Sequence, residues 1–564
     1  MRPAFPHKDF IWLILRLPNS KHTMKKIHLI ALAVLSGLLM SAAWPARGLS
    51  LLIFVAWIPL LFVQQFLGEN KQKGMFRLAW LSFLIWNSLT TWWIWNSTNI
   101  GSIAAIGLNS LFMAVVFKLF HFSKTRLYEN RKGNLILVFV WLAWEWYHLH
   151  WDLSWPWLNL GNVFGANTRW VQWYEYTGVA GGSAWILLVN ILIFNALRNK
   201  PAQGWSFVSF SRRMSPALLL VLVPIVLSQA IYSSYKEKED PVDVVVVQPN
   251  LDPYTEQYNV PPAEVIGRNL GLALRAMNGK PDYIVSPESA IQDEIWEEQL
   301  GQSPSLSQLQ AFIGQHPETS IVIGASTFSF VPPGMEDDPA ARKFRTFEGH
   351  YFAHNTAFHL DSTGSRQLYH KSKLTPGVEM MPSWRILKPL RNYAIDLGGT
   401  VGTLKTDAVR KVFEHPGGWF KPAPVICYES VYGEFVGGYV RNGANVIFII
   451  TNDGWWGYTP GHRQHLLFAP LRAIETRRSI ARSANTGISA FIDQRGDIYQ
   501  ATPYNEEAVI RQKINLNDKL TFYVRYGDYI SRISAFLAVV FLIYALVRSY
   551  LKKTSYFKLR QTRP

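Results

Sequence analysis

Hydrophobic residues fall along this chain in two regimes. Over the first 231 residues they form long runs broken by short polar stretches: 27–44, 49–67, 76–95, 100–122, 135–151, 177–197 and 216–231. An eighth run, 533–547, lies near the C-terminus. A helix needs about 20 apolar residues to cross the hydrocarbon layer, and shorter ones are accommodated by thinning or snorkelling. The pattern therefore predicts a multi-pass α-helical bundle of eight spans. Glu145, His148 and His150 interrupt the fifth run. The eighth is short but flanked by Arg532 and Arg548, whose stems can reach the interface. Residues 1–23 stand apart, because the apolar stretch 10–17 is too short to span. Met24-Lys25-Lys26 reads as a typical start for an inserted helix, so 1–23 is either a mis-start or a cytoplasmic extension. A cleaved signal peptide over 24–45 is the alternative, and the spans that follow favour a retained helix.

From Lys236 the pattern changes to short apolar runs separated by polar and amphipathic stretches. Runs 243–248, 283–286, 321–325, 356–360, 424–427 and 446–451 read as buried strands, with late strands in 482–493 and 507–514. Stretches 261–278 and 306–315 carry helical periodicity, and the Pro- and acid-rich 332–341 reads as a surface loop. Strand–helix alternation predicts an α/β domain whose sheets are covered by helices. The expected organisation is an N-terminal extension (1–23), a seven-helix transmembrane domain (24–235), a catalytic domain (236–525), and a C-terminal helix with tail (526–564).

Charge adds orientation. The net charge is +17, and the basic residues gather in alternate breaks. Lys25 and Lys26 precede the first span. Lys71, Lys73 and Arg77 follow the second; Lys118, Lys124, Arg126, Arg131 and Lys132 follow the fourth. Arg198, Lys200, Arg212 and Arg213 follow the sixth; Arg548, Lys552 and Lys553 follow the eighth. The break 96–99 has none. The positive-inside rule places both termini in the cytoplasm and, after an odd number of spans, residues 232–530 on the opposite face. No basic stripe with base-stacking aromatics is present, which argues against nucleic acid as a partner. The 23 Trp suit a membrane protein with aromatic belts.

Candidate chemistry centres on Cys427, the only cysteine, at the end of the run in Ala423-Pro-Val-Ile-Cys-Tyr-Glu-Ser430. A single thiol excludes an internal disulfide and suits a thiol enzyme facing an oxidising compartment. A strand that ends in a nucleophile, followed by a helix, is an economical way to present a thiolate, although a lone cysteine is also a common buried structural residue. Two other stretches end strand-like runs in charged groups: Val285-Ser-Pro-Glu-Ser-Ala-Ile291 and Tyr369-His-Lys-Ser-Lys-Leu-Thr-Pro-Gly-Val-Glu379. With Asn452-Asp-Gly-Trp-Trp-Gly457 and Arg472-Ala-Ile-Glu-Thr-Arg-Arg478 behind them, these motifs resemble the nitrilase superfamily, whose catalytic set is Glu, Lys, Cys in that order. With the apolar spans included, the whole chain resembles the membrane-bound branch of that superfamily, the apolipoprotein N-acyltransferases.

The resemblance implies a four-layer αββα sandwich and a catalytic set of Glu288, Lys371 and Cys427. Glu288 would be general base and then acid, Lys371 would favour the thiolate and stabilise the oxyanion, and Cys427 would attack. Lys373 rivals Lys371, because residues two apart share a face in an extended segment. The family register selects Lys371, eight before Glu379. The family usually shows Pro-Phe-Gly-Glu at that turn, whereas this chain has Pro376-Gly-Val-Glu379. Glu379 would orient Lys371 or Glu288, Glu429 would support the site, and Tyr428 would line an acyl pocket. Asn452 and Asp453 would hold the loop beside Cys427, with Trp455 and Trp456 as an apolar wall. The Trp-rich connection 147–176 reads as an interfacial anchor, and also as a wall of a lipid-entry site.

The implied activity is acyl transfer at the periplasmic face of a bacterial inner membrane. A phospholipid would donate, and the α-amine of a lipoprotein's S-diacylglyceryl cysteine would accept, by a ping-pong route through a thioester. No cofactor or metal is expected. A membrane-tethered nitrilase-type amidase is the nearer alternative. A transporter or receptor that binds nitrogenous ligands without turnover is a third reading.

Overall fold

The computed structural model describes residues 24–46, 48–130, 132–198, 206–346, 348–380 and 403–561. The proposed extension 1–23, and with it the choice between Met1 and Met24, lies outside them.

The apolar runs form helices α1 (Lys26–Ala43), α2 (Ile58–Glu69), α3 (Met75–Thr91), α4 (Asn99–Tyr128), α5 (Ile136–His148), α6 (Tyr174–Arg198) and α7 (Phe207–Ser234). Short helical turns at Ser50–Leu52 and Ile53–Ala56 lead into α2, which carries Pro59 in its first turn. Long apolar helices match six of the eight expected spans. Among the described residues, six helices are long and apolar enough to cross a membrane: Lys26–Ala43, Ser50–Glu69, Asn99–Tyr128, Tyr174–Arg198, Phe207–Ser234 and Tyr529–Lys552. Helices α3 and α5 have 17 and 13 residues. At about 1.5 Å per residue both are shorter than the ~30 Å hydrocarbon layer. The chain tightens into a 3₁₀ turn at Trp92–Asn96 after α3. Near the end of α5 the buried Glu145 turns inward, accepting from Trp141 Nε1 (3.0 Å) and the Leu160 amide (2.8 Å). The bundle packs around aromatic rings, with Trp57 and Trp141 edge to face at 4.5 Å. Leu218, Leu219, Leu222, Val223, Val226 and Leu227 of α7 lie exposed, an apolar face suited to lipid.

The α/β part starts with β1 (Pro241–Gln248), α8 (Pro262–Ala276), β2 (Tyr283–Val285), β3 (Ile291–Trp296) and α9 (Pro304–Gln315). It continues with β4 (Ser320–Phe330), β5 (Arg342–Lys343), β6 (His350–Leu360), β7 (Arg366–His370) and β8 (Pro422–Ile426). Then come α10 (Gly433–Arg441), β9 (Val446–Thr451), α11 (Pro460–Thr476), β10 (Ile480–Ala484), β11 (Ala490–Ile492), β12 (Ile498–Tyr499) and β13 (Ala508–Asn515); α12 (Tyr529–Gln561) closes the chain. One sheet runs β13-β1-β2-β4-β6-β5, with β3 on β4 and β7 on β6; the other runs β12-β11-β10-β9-β8. Their inner faces share one core, in which Val244, Val246 and Tyr283 meet Val425 and Phe448. Residues of α8 and α9 cover the far face of the first sheet, and residues of α10 and α11 belong to the core around the second. This is the expected αββα layering. Pro422 and Pro424 are tolerated because β8 is an edge strand.

Helix α11 was not foreseen. Every residue in it except Arg463 and Leu467 is buried, because it lies between the second sheet and the membrane helices. Its Gln464 Oε1 accepts from Trp93 Nε1 (3.2 Å) and Trp157 Nε1 (2.7 Å), tying the α/β part to the bundle.

Candidate active site

Three strand ends converge. Glu288 follows β2 and Lys371 follows β7, both in the first sheet, while Cys427 follows β8 in the second. Gly324 on β4 lets the Glu288 loop lie close, since a Cβ there would be 2.6 Å from Glu288 Cα. The Lys371 amide is fixed on the Asn355 carbonyl of β6 at 2.8 Å. Cys427 has φ +49° and opens a 3₁₀ turn, Cys427–Val431; the helix expected behind it starts only at Gly433.

Lys371, 2% exposed, has Nζ 3.1 Å from Glu288 Oε1 and 2.8 Å from Glu379 Oε1. Asn355 Nδ2 donates to the same two oxygens, at 2.8 and 3.1 Å. The Asn452 amide donates to Glu288 Oε2 (3.1 Å), and the Thr375 amide to Glu379 Oε2 (2.8 Å). Glu379 therefore reaches Lys371 despite the altered turn. Lys373 goes elsewhere: its Nζ donates to the Leu149 carbonyl behind α5 (2.9 Å) and sits 4.9 Å from the Tyr432 ring centre. Geometry, rather than strand parity, separates the two lysines.

Burial alone would lower the Lys371 pKa, but the charges of Glu288 and Glu379 outweigh it and hold the ammonium well above its ordinary value. Burial likewise opposes ionisation of Glu379, and Lys371 more than offsets it, so that carboxyl lies below its usual range. Burial pushes the Cys427 thiol well up, the Glu288 charge adds to this, and Lys371 only partly opposes it. Burial thus opposes ionisation of Cys427 more than Lys371 favours it, and the one ammonium faces two carboxylates.

Glu429 is fully buried and takes five donors. Tyr369 Oη (2.6 Å) and the amides of Ser372 (2.7 Å) and Lys373 (3.3 Å) meet Oε1; the Ile426 amide (2.9 Å) and Tyr439 Oη (3.1 Å) meet Oε2. It ties the Lys371 segment to the Cys427 turn. Tyr428 Oη donates to the Ser154 carbonyl (2.9 Å), and its ring stacks on Trp155. Trp456 packs 4.7 Å from Trp93, and Trp455 meets Tyr254 edge to face at 5.1 Å. Sequence reasoning missed Asn355, Gln257, which accepts from Asn452 Nδ2 (2.7 Å), and His465. None of them stands out in the sequence, because each lies among other polar residues, as in His354-Asn355-Thr356 and His462-Arg463-Gln464-His465.

A cavity of about 330 Å³ joins these groups to the bundle. Its lining includes Glu288, Lys371 and Cys427, Ala105, Leu108 and Phe112 of α4, and Trp155, Trp157 and Trp456. Of the other tryptophans in the Trp-rich connection, Trp151 backs the cavity wall against Phe112 (5.1 Å), while Trp170 and Trp173 pack elsewhere.

Beside the cavity, Glu297, His354 and His370 lie close enough to suggest a metal site. His354 and His370 stack at 4.0 Å, however, and His370 carries Asp407 on Nδ1 (3.0 Å) and Glu297 on Nε2 (2.8 Å). Burial disfavours the imidazolium, but hydrogen bonds to Asp407 and Glu297 outweigh it and raise His370 to about 9. The cluster reads as an ion-pair clamp at the end of β7.

Two family models match this chain: the apolipoprotein N-acyltransferase N-terminal domain over residues 36–192, and the carbon-nitrogen hydrolase over 244–519. An apolipoprotein N-acyltransferase of Chlorobaculum tepidum is 30% identical over 528 residues, covering 92% of this chain and 96% of that protein. The chain belongs to the apolipoprotein N-acyltransferase family. It is accordingly an N-acyltransferase of lipoprotein biosynthesis with a nitrilase-type domain. A Geobacter metallireducens apolipoprotein N-acyltransferase is 28% identical over 538 residues, 91% of this chain and 94% of that one. Among solved structures, an amidase from Nesterenkonia sp. is similar at 15% identity and TM-score 0.35, covering 53% of this chain and 99% of its own.

Proposed function

We propose that the enzyme transfers an acyl chain from a membrane phospholipid to the α-amine of an apolipoprotein's N-terminal S-diacylglyceryl cysteine, through a thioester on Cys427. The observation that carries this reading is the cavity, whose lining combines Cys427, Glu288 and Lys371 with apolar residues of α4. A hydrolase of small soluble amides has no need of such a lining. In the first half-reaction Cys427 Sγ attacks the ester carbonyl while Glu288 takes the thiol proton, and Lys371 faces the oxyanion. Collapse expels the lysophospholipid alkoxide, which recovers the proton from Glu288. In the second, the amine attacks the thioester, Glu288 takes its proton, and the departing Cys427 sulfur receives it. Glu379 and Asn355 hold Lys371 and Glu288 in place, Glu429 holds the two segments together, and the tryptophans keep competing water out.

In this reading 24–235 and 526–564 form the membrane part in the bacterial inner membrane, and 236–525 is the catalytic domain in the periplasm. Five of the six candidate spans lie before residue 235, so the number is odd on this count as on the sequence count. The test supplies purified enzyme with phospholipid and a diacylglyceryl peptide. Equal yields of N-acylated peptide and lysophospholipid support the proposal. Hydrolysis of small amides without transfer would select the tethered amidase, and a Cys427 inert to thiol reagents would favour a binding protein.

A further inference from the structure

Cys427 sits in the left-handed backbone region, at φ +49°, which residues with a Cβ seldom occupy unless their surroundings impose it. The surroundings here converge on its carbonyl. Ser430 Oγ donates to Cys427 O at 2.7 Å, and His465 Nε2 faces the same oxygen at 3.3 Å and Ser430 Oγ at 3.0 Å. On the other side of the ring, His465 Nδ1 lies 2.9 Å from Asp453 Oδ1 and 3.2 Å from Arg482 Nη2. Asp453 is fixed in turn: Oδ2 accepts from Arg482 Nη2 (2.7 Å) and Oδ1 from Thr451 Oγ1 (2.9 Å). Arg482 Nη1 is tied to the Ile488 carbonyl at 3.1 Å. Ser430, Asp453, His465 and Arg482 are all buried. They come from the turn after β8, the loop after β9, helix α11 and strand β10, so the relay joins the second sheet and α11 to the nucleophile's own carbonyl.

We propose that His465, oriented by Asp453 and Arg482, is a positioning residue that pins the Cys427 carbonyl together with Ser430. The pin keeps the strained turn closed and aims Sγ at Glu288 and Lys371. His465 makes no proton transfer with substrate in this account. A histidine serving packing alone would not need its two nitrogens set on Asp453 and on the nucleophile's carbonyl. The inference rests on Cys427 being the nucleophile of the proposed reaction.

The test compares His465→Gln, whose amide can still donate to the carbonyl, with His465→Leu, which cannot. Two rates are read on detergent-purified protein: alkylation of Cys427 by iodoacetamide, and acylation by phospholipid. The expected result for the Leu variant is a loss of about tenfold in alkylation and about a hundredfold in kcat, with KM for phospholipid within twofold of wild type. The Gln variant should stay within a few-fold on both. An unchanged or faster alkylation rate in the Leu variant, or a Gln variant as impaired as Leu, overturns the proposal. If the Leu variant does not fold, Ser430→Ala decides: about a fivefold loss on both rates supports the pin, and no change overturns it. If wild type alkylates but never acylates, the acyl-transfer reading fails, while the alkylation comparison still decides the role of His465.

Discussion

At the scale of residues, the catalytic argument turns on charge balance in a buried pocket. Lys371 pairs with two carboxylates and burial raises the Cys427 thiol, so in the proposed mechanism Glu288 takes the thiol proton at the moment of attack. Lys371→Ala would leave two carboxylates without their cation, and we expect it to lower kcat at least a hundredfold. Lys373→Ala should lower kcat less than tenfold, because its Nζ contacts Leu149 and not the site. Measuring both variants checks this; the reverse order would place the catalytic lysine at 373. Glu429 offers a sharper test of packing. Its carboxylate faces five donors, so Glu429→Gln would turn an NH₂ toward N–H and O–H groups, leaving buried donors unpaired at about 1–3 kcal/mol each. Thermal unfolding in detergent should fall clearly for Gln; an unchanged midpoint would show that these donors are not held by the charge.

At the scale of elements, legibility in the sequence followed burial. Strands buried on both faces, such as β2 and β8, read as apolar runs, and their ends located Glu288 and Cys427. Strand β7 is mostly half-buried and carries Arg, Gln and His, so its end at Lys371 was found by motif and not by pattern. Helix α11 escaped because burial on nearly all sides removes the polar stripe that marks a surface helix, and its buried His465 and Arg472 find partners inside the protein. His465 escaped with it. Helices α3 and α5 are shorter than the runs 76–95 and 135–151, because a 3₁₀ turn takes over from α3 at Trp92 and α5 ends at His148, just after the inward Glu145. The His370 clamp gives an element-scale prediction. Its pKa is raised from the ordinary 6.5 to about 9, so its contribution is complete below about pH 6.5 and is lost as pH rises through 9. At about 1.4 kcal/mol per unit the contribution is up to about 3 kcal/mol. The gap in unfolding midpoint between wild type and His370→Gln should therefore be widest near pH 6 and close towards pH 9.5. A gap independent of pH would show that the clamp is not ionic.

At the scale of the whole molecule, a half-buried thiol sits where an α/β sandwich meets a helix bundle, beside a cavity lined by residues of both. Orientation is tested by fusing a reporter that is active only in the periplasm into the loop near residue 340. Activity there is expected, and an inactive reporter would put the catalytic domain on the wrong side for lipoproteins. The central claim is that Cys427 carries the acyl chain. Its most direct test is the intact mass of purified enzyme incubated with phospholipid alone. The account predicts one acyl mass added to wild type and to Glu379→Gln, more slowly in the latter, and none added to Cys427→Ala or Glu288→Gln. An unmodified wild type, or a Glu288→Gln variant that acylates at the wild-type rate, would contradict it, and the second result would move the base to Glu379 or Glu429.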